Sequence, residues 1–295
     1  MDLATPPAAA ARAGWEARLE LRFEARGPDT RLAANRHRGP LRLIRALPLP
    51  DGRCQAVIVH PPGGLVGGDR LELDIALGPG ARVLCTTPGA QKWYRSPGEA
   101  ACATTRVEVA AGGALEWLPQ PTIVYDAARV EQSIDFSLAS DARLLGWECL
   151  VLGRAAMGER FASGALRQRL SLSTAGVPRW VEQVDARAGD RLFASPLGWD
   201  GRTVACTVWA AAPAADVDDA LRDAWRDALD RACASAGGRA ARLRAGATRA
   251  APGLLAARLL ADDSETAMRA AQSLWAIARP ALIGAPGEPP RIWAT

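Results

Sequence analysis

The 295-residue chain has almost no lysine: Lys92 stands alone among many arginines. That bias reads first as the mark of a G+C-rich genome and second as physics, since the two cations bind carboxylates differently. Histidine is nearly as scarce, with only His37 and His60. The six cysteines (Cys54, Cys85, Cys102, Cys149, Cys206 and Cys233) form no CxxC and no close Cys/His pairing, so the spacing excludes an ordinary zinc site and predicts buried reduced thiols. A formal net charge of +4 over this length gives no basic stripe and argues against a nucleic-acid binder. Apolar runs are short: Thr203 to Ala215 is uncharged but too brief to cross a bilayer and is closed by Asp216. The Ala/Pro-rich start lacks a charged segment followed by an apolar core, which predicts no signal peptide. A soluble, cytoplasmic chain with no membrane partner is the expectation.

What is present is alternation. Trp15, Ala17, Leu19, Leu21 and Phe23 alternate with Glu16, Arg18, Glu20 and Arg22, the period-two pattern of a half-buried strand. Further strands are predicted at Leu41 to Leu47, Gln55 to Val59, Arg70 to Leu77, Ala81 to Thr87, Ala103 to Val109 and Ala114 to Leu118. The pattern continues at Gln132 to Leu138, Arg143 to Leu152, Ala165 to Ser173 and Arg179 to Val184. No fixed period links them, so a solenoid with regular repeats has no support from sequence, and an irregular, extended all-β structure fits better than a barrel. Two helices come late. One starts from Asp216, with Val217, Leu221, Trp225 and Leu229 at steps of four; the other follows Asp262, Asp263 and Ser264 and is stopped by Pro280. Strands are expected between them at Arg239 to Arg244 and Leu254 to Leu260, and Trp293 suggests a tail that is tied down.

The least ordinary stretch runs from His60 to Asp69, HPPGGLVGGD. Proline fixes φ and glycine opens backbone regions closed to other residues, so Pro61, Pro62, Gly63, Gly64, Gly67 and Gly68 specify a rigid turn that ends in the Asp69 carboxylate. By itself such a cluster is a structural turn. It is no phosphate cradle, because a Walker loop needs Lys and Ser/Thr after its last glycine. No GxSxG and no metal-ligand spacing accompany it, so nothing supports a hydrolytic site. In the Trp147 to Gly164 stretch, Glu148 and Glu159 bracket Gly153 and Arg154, an arrangement that suggests a fixed turn with an internal Arg154–Glu159 ion pair.

Five blocks carry a family resemblance: HPPGGLVGGD, TTPGAQKWYRS at Thr86 to Ser96, QPTIVYDAAR at Gln120 to Arg129, WECLVLGRAAMGERFASG at Trp147 to Gly164, and the closing PRIWAT. In this order they resemble the urease accessory protein UreD family, called UreH in some organisms. Residues 1–14 are expected to be mobile, and the resemblance implies one UreD-like β-rich domain over 15–295. It implies a mainly β fold, an elongated layered or β-helix-like stack of many strands with two α-helices in the C-terminal half. It further implies a non-enzymatic maturation factor without a tightly bound cofactor, which binds apo-urease subunits and UreF, reaches the GTPase UreG through UreF, and passes transient Ni²⁺ along an internal passage. A dimeric assembly within the accessory complex is compatible with it, and the late helices offer docking ridges.

A conduit needs ligands that hold an ion without trapping it, and carboxylates suit this better than a His/Cys cage. Asp69 is the first candidate waypoint, the alternative being a turn carboxylate that caps nearby N–H groups. Glu182 is the second, facing either an interior or solvent. His60 is the third, a metal contact or else a hydrogen-bonded structural histidine. Cys85, Thr86 and Thr87 either line the same interior or simply end a strand. The ten tryptophans keep a β-rich carbohydrate-binding or interaction module as the alternative reading.

Overall fold

The computed structural model describes residues 14–96, 98–235 and 243–294. Apart from Gly14, the stretch expected to be mobile lies outside the described residues, as does most of the strand expected at Arg239 to Arg244. In chain order the strands are β1 (Glu16–Arg26), β2 (Asp29–Arg38), β3 (Arg42–Pro48), β4 (Cys54–Val59), β5 (Arg70–Leu77), β6 (Arg82–Thr86), β7 (Gln91–Trp93), β8 (Ala101–Val109) and β9 (Ala114–Leu118). They continue with β10 (Thr122–Val124), β11 (Arg129–Leu138), β12 (Arg143–Leu152), β13 (Ala165–Thr174), β14 (Val177–Arg187), β15 (Val204–Ala211), β16 (Leu243–Ala251) and β17 (Leu254–Ala261). The α-helices are α1 (Arg191–Ala194), α2 (Asp219–Ser235) and α3 (Ser264–Ile283).

The strands form two sheets. An outer sheet has the order β14-β13-β11-β8-β5-β1-β2, and an inner sheet has β16-β17-β15-β12-β9-β6-β4-β3, with β10 and β7 attached beside β12. From β4 to β13 the chain passes back and forth between the sheets, laying down parallel neighbours β4, β6, β9 and β12 on one side and β5, β8, β11 and β13 on the other. This is a β-solenoid-like stack, closed at its ends by antiparallel pairs. Cys54 pairs with Val83, Arg82 with Ala114 and Ala114 with Arg143, successive offsets of 29, 32 and 29 residues. Arg129 pairs with Ala165, an offset of 36. Coils of unequal length leave no fixed period in the sequence, although the architecture repeats.

Burial follows from the layering. Strands of the outer sheet alternate, with Leu19, Leu21 and Phe23 of β1 buried and the residues between them facing outward. Central strands of the inner sheet are buried on both faces: Leu144 and Leu150 of β12 join the core between the sheets, while Leu145, Trp147 and Cys149 join a second core under α2 and α3. The cysteines are free thiols, four of them buried.

The helix layer is bolted on by charge. Glu116, buried on β9, accepts from Trp275 Nε1 at 2.8 Å and from Arg279 Nε at 2.7 Å, and pairs with Arg53 through its other oxygen. Asp263 caps α3 by accepting from Thr266 N at 2.8 Å. Contrary to the expectation from sequence, Pro280 does not stop this helix; α3 continues to Ile283 and is closed by Gly284 in the left-handed conformation. Proline so near the end removes one backbone donor, and burial of Leu282 and Ile283 offsets the loss. Among the described residues no helix is long and apolar enough to cross a membrane.

Candidate functional site

The Gly/Pro loop between β4 and β5 is pinned to β7. Leu65 N donates to Lys92 O and Tyr94 N to Leu65 O, both at 2.8 Å. The approach leaves no room for side chains: a Cβ at Gly64 would lie 2.7 Å from Lys92 O, and one at Gly67 would lie 2.6 Å from Glu99 O. Asp69 holds the loop shut. Its Oδ1 accepts from Trp15 N at 2.8 Å and its Oδ2 from Val66 N at 2.9 Å, so both oxygens of this buried carboxylate are occupied by backbone. That geometry is the capping alternative, and Asp69 does not line the adjoining cavity.

The cavity lies between the sheets and measures about 340 Å³. His60, Cys85, Thr105, Thr122, Gln132 and Glu148 are among its lining residues, and Thr86 and Thr87 at the end of β6 also border it. His60 extends the inward parity of Cys54, Ala56 and Ile58 along β4. The hydrogen-bonded structural histidine expected as its alternative is absent: neither ring nitrogen is exposed or has a partner among the described residues. Burial pushes its pKa down, against the pull of the Asp69 charge, so the imidazole is held neutral with a lone pair available.

Beyond the cavity a polar seam crosses an otherwise apolar core. On the inner sheet Glu148 of β12 stands opposite Thr207 of β15, which stands opposite Arg258 of β17, which stands opposite Gly246 of β16. On the outer sheet Gln132 of β11 stands opposite Gln168 of β13, and Glu182 follows on β14 beside Leu170. The rows are knitted together. Gln168 Nε2 donates to Gln132 Oε1 at 2.7 Å, Thr122 Oγ1 to Glu148 Oε1 at 3.0 Å and Thr207 Oγ1 to Glu182 Oε2 at 3.0 Å, while Arg258 pairs with Glu182 Oε1 at 2.7 Å. Glu182, Thr207 and Arg258 border a second opening of about 580 Å³, a groove flanked by Trp180 and Trp199. The seam therefore joins a cavity at one side to a groove at the other.

Charge along the seam is finely balanced. Burial pushes the Glu148 carboxyl up to about 7, against hydrogen bonds from Thr122 and Gln132 that favour its ionised form and with the Glu182 charge adding to the rise. At neutral pH this group is poised between acid and carboxylate, while Glu182 carries a resident counter-ion.

The family model described as UreD urease accessory protein matches residues 16–294. The chain belongs to the UreD family. It is similar to a urease accessory protein UreD from Dechloromonas aromatica (strain RCB), 42% identical over 95% of this chain and 95% of that protein. It is likewise similar to urease accessory protein UreD of Pseudomonas putida (strain W619), 43% identical over 96% of this chain and 95% of the relative, and of Azoarcus sp. (strain BH72), 42% identical over 97% and 96%.

In this UreD-family chain the fourth block folds as the sequence suggests: Arg154 pairs with Glu159, donating from Nε at 3.1 Å, and lies 4.3 Å from the centre of the Tyr125 ring. The pair closes a turn at Gly153. Most of the tryptophans fill cores; Trp15 is exposed, and Trp180 is half-buried at the groove. Gln132, Gln168, Thr207 and Arg258 were not singled out from sequence. Their signal is a polar residue at an inward position of a strand, as in Val130-Glu131-Gln132-Ser133-Ile134, legible only once the inward parity is known.

Proposed function

We propose that this chain acts in the cytoplasm as a non-enzymatic factor in urease maturation, a scaffold that binds apo-urease and UreF, with UreG recruited through UreF. Its cargo is Ni²⁺, handed along the seam between the cavity at His60 and the groove at Glu182 towards the urease active site. The observation that carries this reading is the seam itself. A row of amides, hydroxyls and singly spaced carboxylates through an apolar core has a desolvation cost that a merely structural core would avoid. Among the described residues no group of three or more His, Cys, Asp or Glu side chains converges to hold a metal ion. Ligands met one at a time let an ion enter and leave, whereas a cage would retain it.

The test is Glu148→Gln and Glu182→Gln in cells that express urease with its accessory proteins. Both variants are expected to co-purify with UreF and urease subunits and to lower urease nickel content at limiting nickel by about tenfold, the effect of roughly 1.4 kcal/mol lost at one waypoint. Full nickel loading by both variants would remove the seam from the transfer path. Absence of UreF and urease from the purified complex would sink the scaffold reading.

A further inference from the structure

We infer that Arg258 is a resident surrogate cation: it occupies the Glu182 carboxylate in the resting chain and must be displaced before a divalent cation can bind there. The inference rests on the cation-passage reading and adds its gate. Glu182 has a side chain only 12% exposed, and both oxygens are in use, one by Arg258 and one by Thr207. A carboxylate so enclosed needs a counter-charge. Arg258 supplies it as the only cationic side chain in the two rows of the seam.

Three features mark the pairing as displaceable. The Arg258 side chain is 40% exposed and reaches the carboxylate from the groove, so its charge keeps access to water. Its cross-strand neighbour on β16 is Gly246, where an added Cβ would meet nothing within 4 Å, so no side chain from the partner position on β16 packs over Arg258. And Thr207, between Glu148 and Arg258 in the row, remains as a hydroxyl ligand when the guanidinium leaves. An arginine and a divalent ion compete for the same oxygen, and the ion carries twice the charge. Arg258 thereby closes the seam to weakly held cations and yields to one delivered at the cavity side.

The experiment is equilibrium binding of Co²⁺, a spectroscopic stand-in for Ni²⁺, to the purified full chain. Arg258→Met keeps the stem and removes the charge, and is expected to bind Co²⁺ about tenfold more tightly than the unaltered protein. Adding Glu182→Gln is expected to abolish the gain. Arg258→Met is also expected to melt at a lower temperature without metal and to recover more of that loss on adding Co²⁺ than the unaltered protein gains, a response that a simple structural clamp would not show. Arg258→Lys, which keeps the charge, serves if the methionine variant does not fold: its binding should stay within the range of the unaltered protein. Tighter binding by the lysine variant, no gain in the methionine variant, or a gain that survives Glu182→Gln would each overturn the gate. The passage is judged separately by urease nickel loading in Glu148→Gln, so loss of loading there with unchanged Co²⁺ affinity in Arg258→Met would sink the gate alone.

Discussion

Replacing Glu148 with glutamine isolates the electrostatic cost of the seam. The carboxyl is buried, and its pKa stands at about 7 against an ordinary 4.5. A carboxyl raised in this way binds its proton more tightly in the folded chain than in the unfolded one. Its contribution to stability is therefore fully present below the unfolded value and is lost as pH rises through about 7. The full span corresponds to about 3 kcal/mol, of which on the order of 2–3 kcal/mol falls between pH 5 and pH 8. Glutamine keeps the volume and an oxygen that can accept from Thr122 Oγ1, now 3.0 Å from Glu148 Oε1, but cannot ionise. Urea unfolding of both proteins at a series of pH values gives a stability difference in which titrating groups that do not interact with residue 148 cancel. That difference should shift in favour of Glu148→Gln by this amount as pH rises from 5 to 8. Parallel stability curves, or a shift of the opposite sign, would refute the claim that burial dominates at this residue.

Glu116→Ala should destabilise the chain by about 3–5 kcal/mol in the same assay, because it leaves Arg53 and Arg279 buried without their shared carboxylate. Asp69→Ala should reduce stability by about 1–3 kcal/mol for each backbone donor it abandons at Trp15 and Val66. Nickel delivered per folded molecule should stay unchanged in that variant, measured as metal content of co-expressed urease, since both Asp69 oxygens are committed to the loop.

Much of the fold was legible because the outer sheet faces water on one side. The alternation in Arg70–Leu77 and Arg129–Leu138 is the direct print of that asymmetry. β15 escaped for the opposite reason. With both faces buried, Val204–Ala211 is uniformly apolar and carries no period. β7 and β10 are three residues each, too short for any pattern, and β2 meets a register shift opposite Arg22 and Phe23. At the site, the Gly/Pro loop announced itself through composition, while the pattern around Glu182 left it facing either an interior or solvent, and only the packing of β14 encloses it. The chemical assignment of Asp69 was not, since the loop ends in a carboxylate whichever way its oxygens turn. Gln132, Gln168, Thr207 and Arg258 belong to four different strands, and only the pairing of those strands in the two sheets brings them into register.

The seam runs across the strands, at right angles to the backbone that builds it. Its residues come from adjacent strands at roughly 4.8 Å steps. Within a sheet the peptide carbonyls are already spent on the ladder, so the wall of this route can offer side chains only. A carbonyl-lined filter tolerates substitution because its ligands survive a change of side chain. Here each ligand is one residue on one strand, and losing it opens a gap of a full strand spacing. Insertion of a further coil would lengthen the route by one step and leave the chemistry at either end untouched.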